Sequence, residues 1–250
     1  MTYLQALRFV MIARSEALRD PETALLPDLL ETNDVALDVG ANGGNWTYYL
    51  QQAVGKNGQV LAFEADPYYA RATELAIRWM GLKGTTLFPF GLSDQHETVN
   101  LRIKDVKGKR MSGLSHIDKS SPTSAGGVQR IQLRVLDEMM TEYPALKQTK
   151  LIKCDVEGYE LFVLRGAKKL LQMAQPTLIF EIGNFEAQQY SESDLGLFLK
   201  DLGYQIFTLT TTQKLVPVSD NLTHPAAIGV NRVALTPTQI NHLHPTLFAV

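Results

Sequence analysis

Apolar positions along this chain recur with two spacings, and the alternation between them outlines a fold. Leu4, Leu7, Met11 and Leu18 stand at helical intervals, which predicts a helix over residues 3–19 and, after the break at Pro21, a second over 22–31. Short, nearly continuous apolar runs bounded by turn residues then predict buried parallel strands at Asp34–Val39, Gln59–Glu64 and Thr85–Phe90. Between them lie helical patterns at Trp46–Val54, after the glycine-rich turn Gly40–Gly44, and at Tyr68–Met80, where Pro67 suits a first turn. This order argues for parallel strands joined by right-handed crossovers.

The rhythm then changes. Thr98–Lys104 and Gln129–Val135 alternate apolar and polar residues, as half-exposed strands do. Residues 95–135 therefore read as a β-rich insertion too short to carry its own core, and its small polar stretch 118–127 (DKSSPTSAGG) as a mobile lid over an acceptor. The α/β pattern returns with strands Leu151–Asp155, Pro176–Glu181 and Gly203–Thr210 and helices Leu161–Met173 and Ser193–Leu202. Gln213–Val218 and Ala226–Leu235 are expected as closing antiparallel strands. The division that results is an N-terminal helical segment 1–33, a main domain 34–235 and a tail 236–250 without a clear pattern.

Composition narrows the class. A chain of 250 residues can bury one large α/β core. With 24 basic against 26 acidic residues, nucleic acid is a disfavoured partner, and the short basic stretch Lys104, Lys107, Lys109, Arg110 lacks interleaved aromatics. The single cysteine, Cys154, permits no intrachain disulfide, suits a cytoplasmic setting and reads as a small core residue. No apolar run is long enough to span a membrane, and charges at Arg8, Arg14, Glu16 and Arg19 break up any secretory signal. The stripe on the first helix reads as a packing face, with a homodimer as one use for it. Trp46 and Trp79 read as helix-face core.

The strongest chemical signal is VALDVGANGGNWT, Val35–Thr47. A buried strand ends near Asp38, turns on Gly40 and Gly44, and opens a helix whose positive end suits an anion. Glu64 ends the next strand, 24 residues after Gly40, at about the distance from which an acid can hold ribose hydroxyls. Asn42 and Asn45 stand where a dinucleotide fingerprint requires its second and third glycines, so a pyrophosphate is disfavoured and a methionine carboxylate is the better anion.

Three blocks resemble the FkbM-type methyltransferase family: DVGANGGNWT (Asp38–Thr47), FEADP (Phe63–Pro67) with GLSD (Gly91–Asp94), and IKCDVEGYELFVLRGA (Ile152–Ala167). The likeness spans roughly residues 34–182. It implies a class I methyltransferase fold, Rossmann-like: a seven-stranded, mostly parallel sheet with helices on both faces and one antiparallel strand. It implies S-adenosylmethionine as donor and O-methylation of a sugar or secondary metabolite. Carried over by position, Asp38, Gly40, Asn42 and Gly44 would line the methionine end, Glu64 would hold the ribose, Leu92, Ser93 and Asp94 would serve the adenine, and Thr47 and Ala65 would also belong to the cofactor site. One departure is Gly43, where the family usually has a bulky apolar residue; the change loosens the turn or makes room near the methionine arm.

Methyl transfer asks the protein to align a hydroxyl, exclude water and help remove a proton. Asp155, Glu157 and Glu181 end adjacent strands at the edge where such sheets bind ligands, so they are the candidate bases. The same acids could hold Mg2+ through oxygen, or Glu157 and Glu160 could simply cap the next helix. Lys153, if it points inward, should pair with Asp155 or Glu181. His116 could reach an acceptor, His96 sits in a turn, and His242 with His244 has the spacing of a metal pair. Two other activities stay open on the same residues: N- or C-methylation, and a silent donor-binding partner subunit.

Overall fold

The computed structural model describes residues 2–15, 19–104, 115–117, 127–183, 190–219, 222–225, 227 and 229–249. The chain opens with α1 (Thr2–Ala13), a 3-10 turn at Pro21–Leu25 and the single turn α2 (Leu26–Leu29). The two expected opening helices are thus shorter than predicted. Backbone bonds tighten after Ala13, with Ser15 N–H donating to the Ile12 carbonyl, and Pro21 and Pro27 each remove a helical donor.

The parallel core follows: β1 (Val35–Val39), α3 (Asn45–Val54), β2 (Gln59–Phe63), α4 (Pro67–Met80) and β3 (Thr85–Phe88). A second group then departs from the sheet: β4 (Gly91–Leu92), β5 (Glu97–Arg102), β6 (His116–Ile117) and β7 (Val128–Arg134). After α5 (Leu136–Met139) the core resumes with β8 (Thr149–Cys154), α6 (Glu160–Arg165), α7 (Lys168–Ala174), β9 (Thr177–Glu181), α8 (Glu192–Asp201), β10 (Gln205–Leu209), β11 (Leu215–Pro217), β12 (Asn231–Leu235) and α9 (Pro237–His242).

The main sheet runs β11-β10-β12-β9-β8-β1-β2-β3. Neighbours from β3 across to β9 pair parallel, β12 lies antiparallel between β9 and β10, and β11 folds back on β10. The sheet is the expected one with an eighth strand, because β10 and β11 form a hairpin at the edge. Its two faces carry separate apolar layers, since side chains alternate along each strand. Leu37, Phe63, Ile152 and Phe180 face α5 to α8, while Ala36, Val60, Leu151 and Ile179 face α2 and α3. The tail joins the second layer: α9 is capped by a reciprocal Thr236–Gln239 box, and Phe248 packs on Phe207.

Three further departures have local causes. The strand expected to run to Phe90 stops at Phe88, because Gly91 and Leu92 pair with Leu133 and Arg134 in the second sheet, ordered β4-β7-β5-β6. The helix expected over Leu161–Met173 breaks in two at Gly166, where a Cβ would lie 2.0 Å from the Ser93 carbonyl oxygen. Among the described residues of the expected strand Ala226–Leu235, Asn231–Leu235 form a strand and Ala227 makes an isolated bridge to Thr210. The 118–127 segment, except for Gly127, and Leu18 lie outside the described residues.

The first helix packs with the face opposite to the expected stripe. Ala6, Phe9 and Ala13 are buried, with Phe9 against Tyr69 and Ala6 beside Ala72 and Ala76 of α4. A Cβ on Gly43 would meet the Phe9 ring at 2.7 Å. The missing side chain at 43 therefore makes room for the N-terminal helix. Leu4, Leu7 and Met11 face outward, and Trp79, expected in the core, is 43% exposed.

Gly166→Ala tests the second of these causes. The added methyl must displace the Ser93 backbone or the α6–α7 junction, so urea unfolding should show a loss of about 1–3 kcal/mol.

Candidate active site

The loops after β1, β2 and β8 converge at the carboxyl edge of the sheet. Gly40 has φ +87°, and a Cβ there would lie 1.8 Å from the Asp155 carbonyl oxygen. Glycine is required on both counts, and its absence of a side chain lets the glycine turn touch the acid-bearing loop.

The turn's amides are largely engaged within the protein. Gly40 and Ala41 both donate to the Phe63 carbonyl, at 3.0 and 2.9 Å, and Gly44 donates to Ala41. Asn42, at φ +42°, donates its backbone N–H to Glu64 Oε2 at 2.7 Å, while Asp66 N–H donates to Oε1 at 2.7 Å. Glu64 is thereby held at both oxygens, and burial pushes its carboxyl up to about 7 against those two bonds. Asp38 is buried and accepts a hydrogen bond from the Thr47 hydroxyl. Burial raises it to about 6, opposed by Thr47 and by Lys153. Asp38 and Thr47 thus fix the angle at which α3 leaves β1.

A cavity with about 800 Å³ of empty space, including the part open to solvent, sits above these loops. Gly40, Asn42, Glu64, Asp155 and Glu157 line it on the polar side, and Leu92, Leu101, Ile117, Ile131 and Leu133 on the apolar side. The apolar wall is the inner face of the second sheet, continuous with Tyr159. Of the residues assigned to a cofactor from sequence, Gly40, Asn42, Glu64, Ala65 and Leu92 line the cavity. Asp38, Gly44 and Thr47 are not among its lining residues. Ser93 and Asp94 also lie outside the lining, because β4 turns toward β7: Ser93 N–H donates to the Arg134 carbonyl, and Asp94 is exposed. Two residues of the lining, Asn42 and Ser115, each carry a buried side-chain oxygen without a hydrogen-bond partner among the described residues.

The three expected acids do meet. Carboxylate oxygens of Asp155, Glu157 and Glu181 lie within 4.8 Å of one another. Burial pushes Glu181 up to about 9, helped by its hydrogen bond to Asp155 and by the charges of Asp155 and Glu157. Asp155 pays for burial as well, but Lys153 and the Glu181 bond hold it below the usual carboxylate range. The two carboxyls therefore shift in opposite directions, Glu181 toward keeping its proton and Asp155 toward losing it. The cluster is compact enough to gather a cation, yet Lys153, 3.5 Å from Asp155, already offsets part of its charge.

Lys153 does point inward and is fully buried. Its Nζ donates to Asn231 Oδ1 at 2.6 Å, stands 3.5 Å from Asp155 Oδ2 and lies 5.3 Å from the centre of the Trp46 ring. Asn231 in turn donates to Glu22, and Trp46 Nε1 donates to Asp20. Burial alone would lower the Lys153 pKa, but Asp155, Asp20 and Glu181 carry it above its ordinary value.

The acid loop is braced from beneath. Glu157 has φ +56°, an uncommon conformation for a side-chain-bearing residue that costs about 1–3 kcal/mol. Glu160 Oε1 accepts from Val156 and Gly158 N–H, and its Oε2 from the Tyr190 hydroxyl at 2.7 Å. Glu160 is buried, so it is a brace for the loop rather than a solvated cap. Asn231, Glu22, Tyr190 and Ser115 escaped the sequence reading, since each comes from a distant element and no local pattern marks it.

The histidines do not gather here. His96 bonds Glu138 at 2.8 Å, and His116 is not among the cavity-lining residues although both its neighbours are. His242 and His244 bond through Nδ1 to the Thr238 carbonyl and the Thr246 hydroxyl, and neither is among the cavity-lining residues. Cys154 is buried in the core, and burial pushes its thiol well up.

Residues 38–206 match the family described as Methyltransferase FkbM domain. The chain is 25% identical over 142 residues to "Methyltransferase 1" of Beauveria bassiana, covering 52% of this chain and 57% of that protein. It is also similar to the crystal structure of Methyltransferase FkbM from Methylobacillus flagellatus, with TM-score 0.52 and 13% identity over 92% of this chain and 58% of that one. The chain thus spans less than two thirds of the length of either protein.

Glu64 gives this site a pH signature. Its folded value of about 7 lies above the ordinary 4.5, so the stability it contributes is complete below pH 4.5 and is lost as pH rises through 7. The loss is on the order of 3 kcal/mol for a group this buried. Urea unfolding at pH 5 and pH 7.5 should show the wild type losing stability over that interval, with a clearly smaller loss in Glu64→Gln.

Proposed function

The chain belongs to the FkbM methyltransferase family, and from that premise we propose that it moves the methyl group of S-adenosylmethionine to a hydroxyl of a sugar or small secondary metabolite. The observation that carries the donor assignment is the pairing of the Glu64 carboxylate with an unpartnered Asn42 Oδ1 in one cavity. In this reading Glu64 accepts from ribose hydroxyls, and Asn42 Oδ1 takes a hydrogen from the donor's amino group. The apolar wall of Leu92, Ile131 and Leu133 suits a flat heteroaromatic ring. When bound, the sulfonium supplies an already activated methyl carbon.

The chain's own residues then handle orientation and the proton. Asp155, in the cavity lining, is held below the usual carboxylate range by Lys153 and by its hydrogen bond with Glu181. A hydroxyl that is gaining a methyl group becomes strongly acidic at oxygen, so a carboxylate with a low pKa is an adequate acceptor for the proton it sheds. Glu157 lines the same cavity from its left-handed position and can orient the acceptor's remaining hydroxyls. The second sheet excludes water from the apolar half of the cavity. No step in this scheme requires Mg2+, and EDTA is expected to leave turnover unchanged.

Two measurements test the reading. Titration calorimetry should show S-adenosylhomocysteine binding, and Glu64→Gln should weaken it about 10- to 100-fold through lost charge-assisted hydrogen bonds. Binding of NAD with no response to S-adenosylhomocysteine would overturn the donor. For the base, a screen with donor labelled at the methyl, run against cell extract, should yield labelled hydroxyl products. Asp155→Asn should cut the rate of that labelling about 10²- to 10⁴-fold while leaving S-adenosylhomocysteine affinity within about threefold. A rate close to wild type would remove Asp155 from this role.

A further inference from the structure

The outer face of α1 is apolar, exposed and unpartnered among the described residues. Leu4 is 74% and Met11 66% exposed, and Tyr3 and Leu7 share their side of the helix. Tyr3 stacks on Trp79 of α4 with ring centroids 6.1 Å apart, so the patch extends across two helices. Contiguous apolar surface of this kind on an otherwise ordinary α/β body marks a binding face.

The charges around the patch indicate what it meets. No acidic residue occurs in α1, and Arg8 and Arg14 are both exposed. Helical spacing sets Arg8 at the border of the Leu4–Met11 line, while Arg14 follows the end of the helix on the side of Leu7 and Met11. Arg78, next to Trp79, is exposed too, and these three arginines make no ion pair among the described residues. The one acid of α4, Glu74, is already held by Arg71 at 2.6 Å. This cationic rim stands out in a chain whose net charge is −2.

A second copy fits poorly. A twofold contact lays the same patch on itself, which would bring arginine rims together with no acid on α1 to receive them. An anionic surface with an apolar interior matches both features: leucine and methionine enter the acyl boundary, Tyr3 and Trp79 sit at the headgroup level, and the arginines meet phosphates. We propose that α1 and Trp79 together form a peripheral docking face for anionic phospholipid membranes. The inference is independent of the donor and base assignments.

The full chain offers a direct readout. It has two tryptophans, and Trp46 is buried, so a change in emission on binding reports Trp79. Vesicles of phosphatidylcholine containing phosphatidylglycerol should co-sediment with the chain, shift its tryptophan emission to the blue and lose it at high salt. Pure phosphatidylcholine vesicles should bind at least about tenfold more weakly. The double change Leu4→Glu, Met11→Glu should abolish binding without altering the melting temperature, since both side chains are exposed. Arg8→Gln, a milder test, should weaken binding roughly fivefold. Absence of binding to the anionic vesicles would overturn the proposal. So would light scattering that shows a dimer dissociated by the double change.

Discussion

Contact between two backbones organises this molecule. Gly40 ends the first strand's turn directly against the carbonyl of Asp155, which leaves the fourth parallel strand. Any side chain at 40 would push the two loops apart, and with them the glycine turn from the acids. The cavity's polar side depends on that touch, because Asn42 and Glu64 approach from one side and Asp155 and Glu157 from the other.

The acids are costly to keep together, and the chain meets the cost with groups drawn from distant elements. Lys153 lies inside the sheet beneath Asp155, and Asn231, from the antiparallel strand, takes up one of its donor positions. Glu22 and Asp20, before the first strand, bond Asn231 and Trp46. The N-terminal segment is therefore part of the electrostatic support of the site, not an appendage to the sheet. Tyr190 and Glu160 do comparable work, holding a loop in which Glu157 adopts a backbone conformation that ordinary residues avoid.

Much of this was legible in the residues. Buried strands announced themselves as apolar runs, and the acids at their ends fell where the chain crosses from strand to loop. Glu64 and Asp155 needed nothing beyond that. What escaped was set by contacts between elements far apart in the chain. The absence of a side chain at 166 answers to the Ser93 backbone, and the break there goes with Asp137, which donates to the Gly166 carbonyl and accepts from Lys169 and Leu170. The outward turn of Ser93 and Asp94 comes from strand pairing with Arg134, and the packing face of the first helix from α4. Helical spacing reveals an apolar stripe but not which of two such stripes is buried. The first helix has both, and Ala6, Phe9 and Ala13 won because small residues allow close approach to α4.

Gly43 carries a consequence for packing. Its hydrogen occupies the space next to the Phe9 ring, so the turn that faces the cavity on one side receives the first helix on the other. A bulkier residue at this place would first have to displace that ring, so the turn and the opening helix are seated against each other through the one side chain that position 43 leaves out.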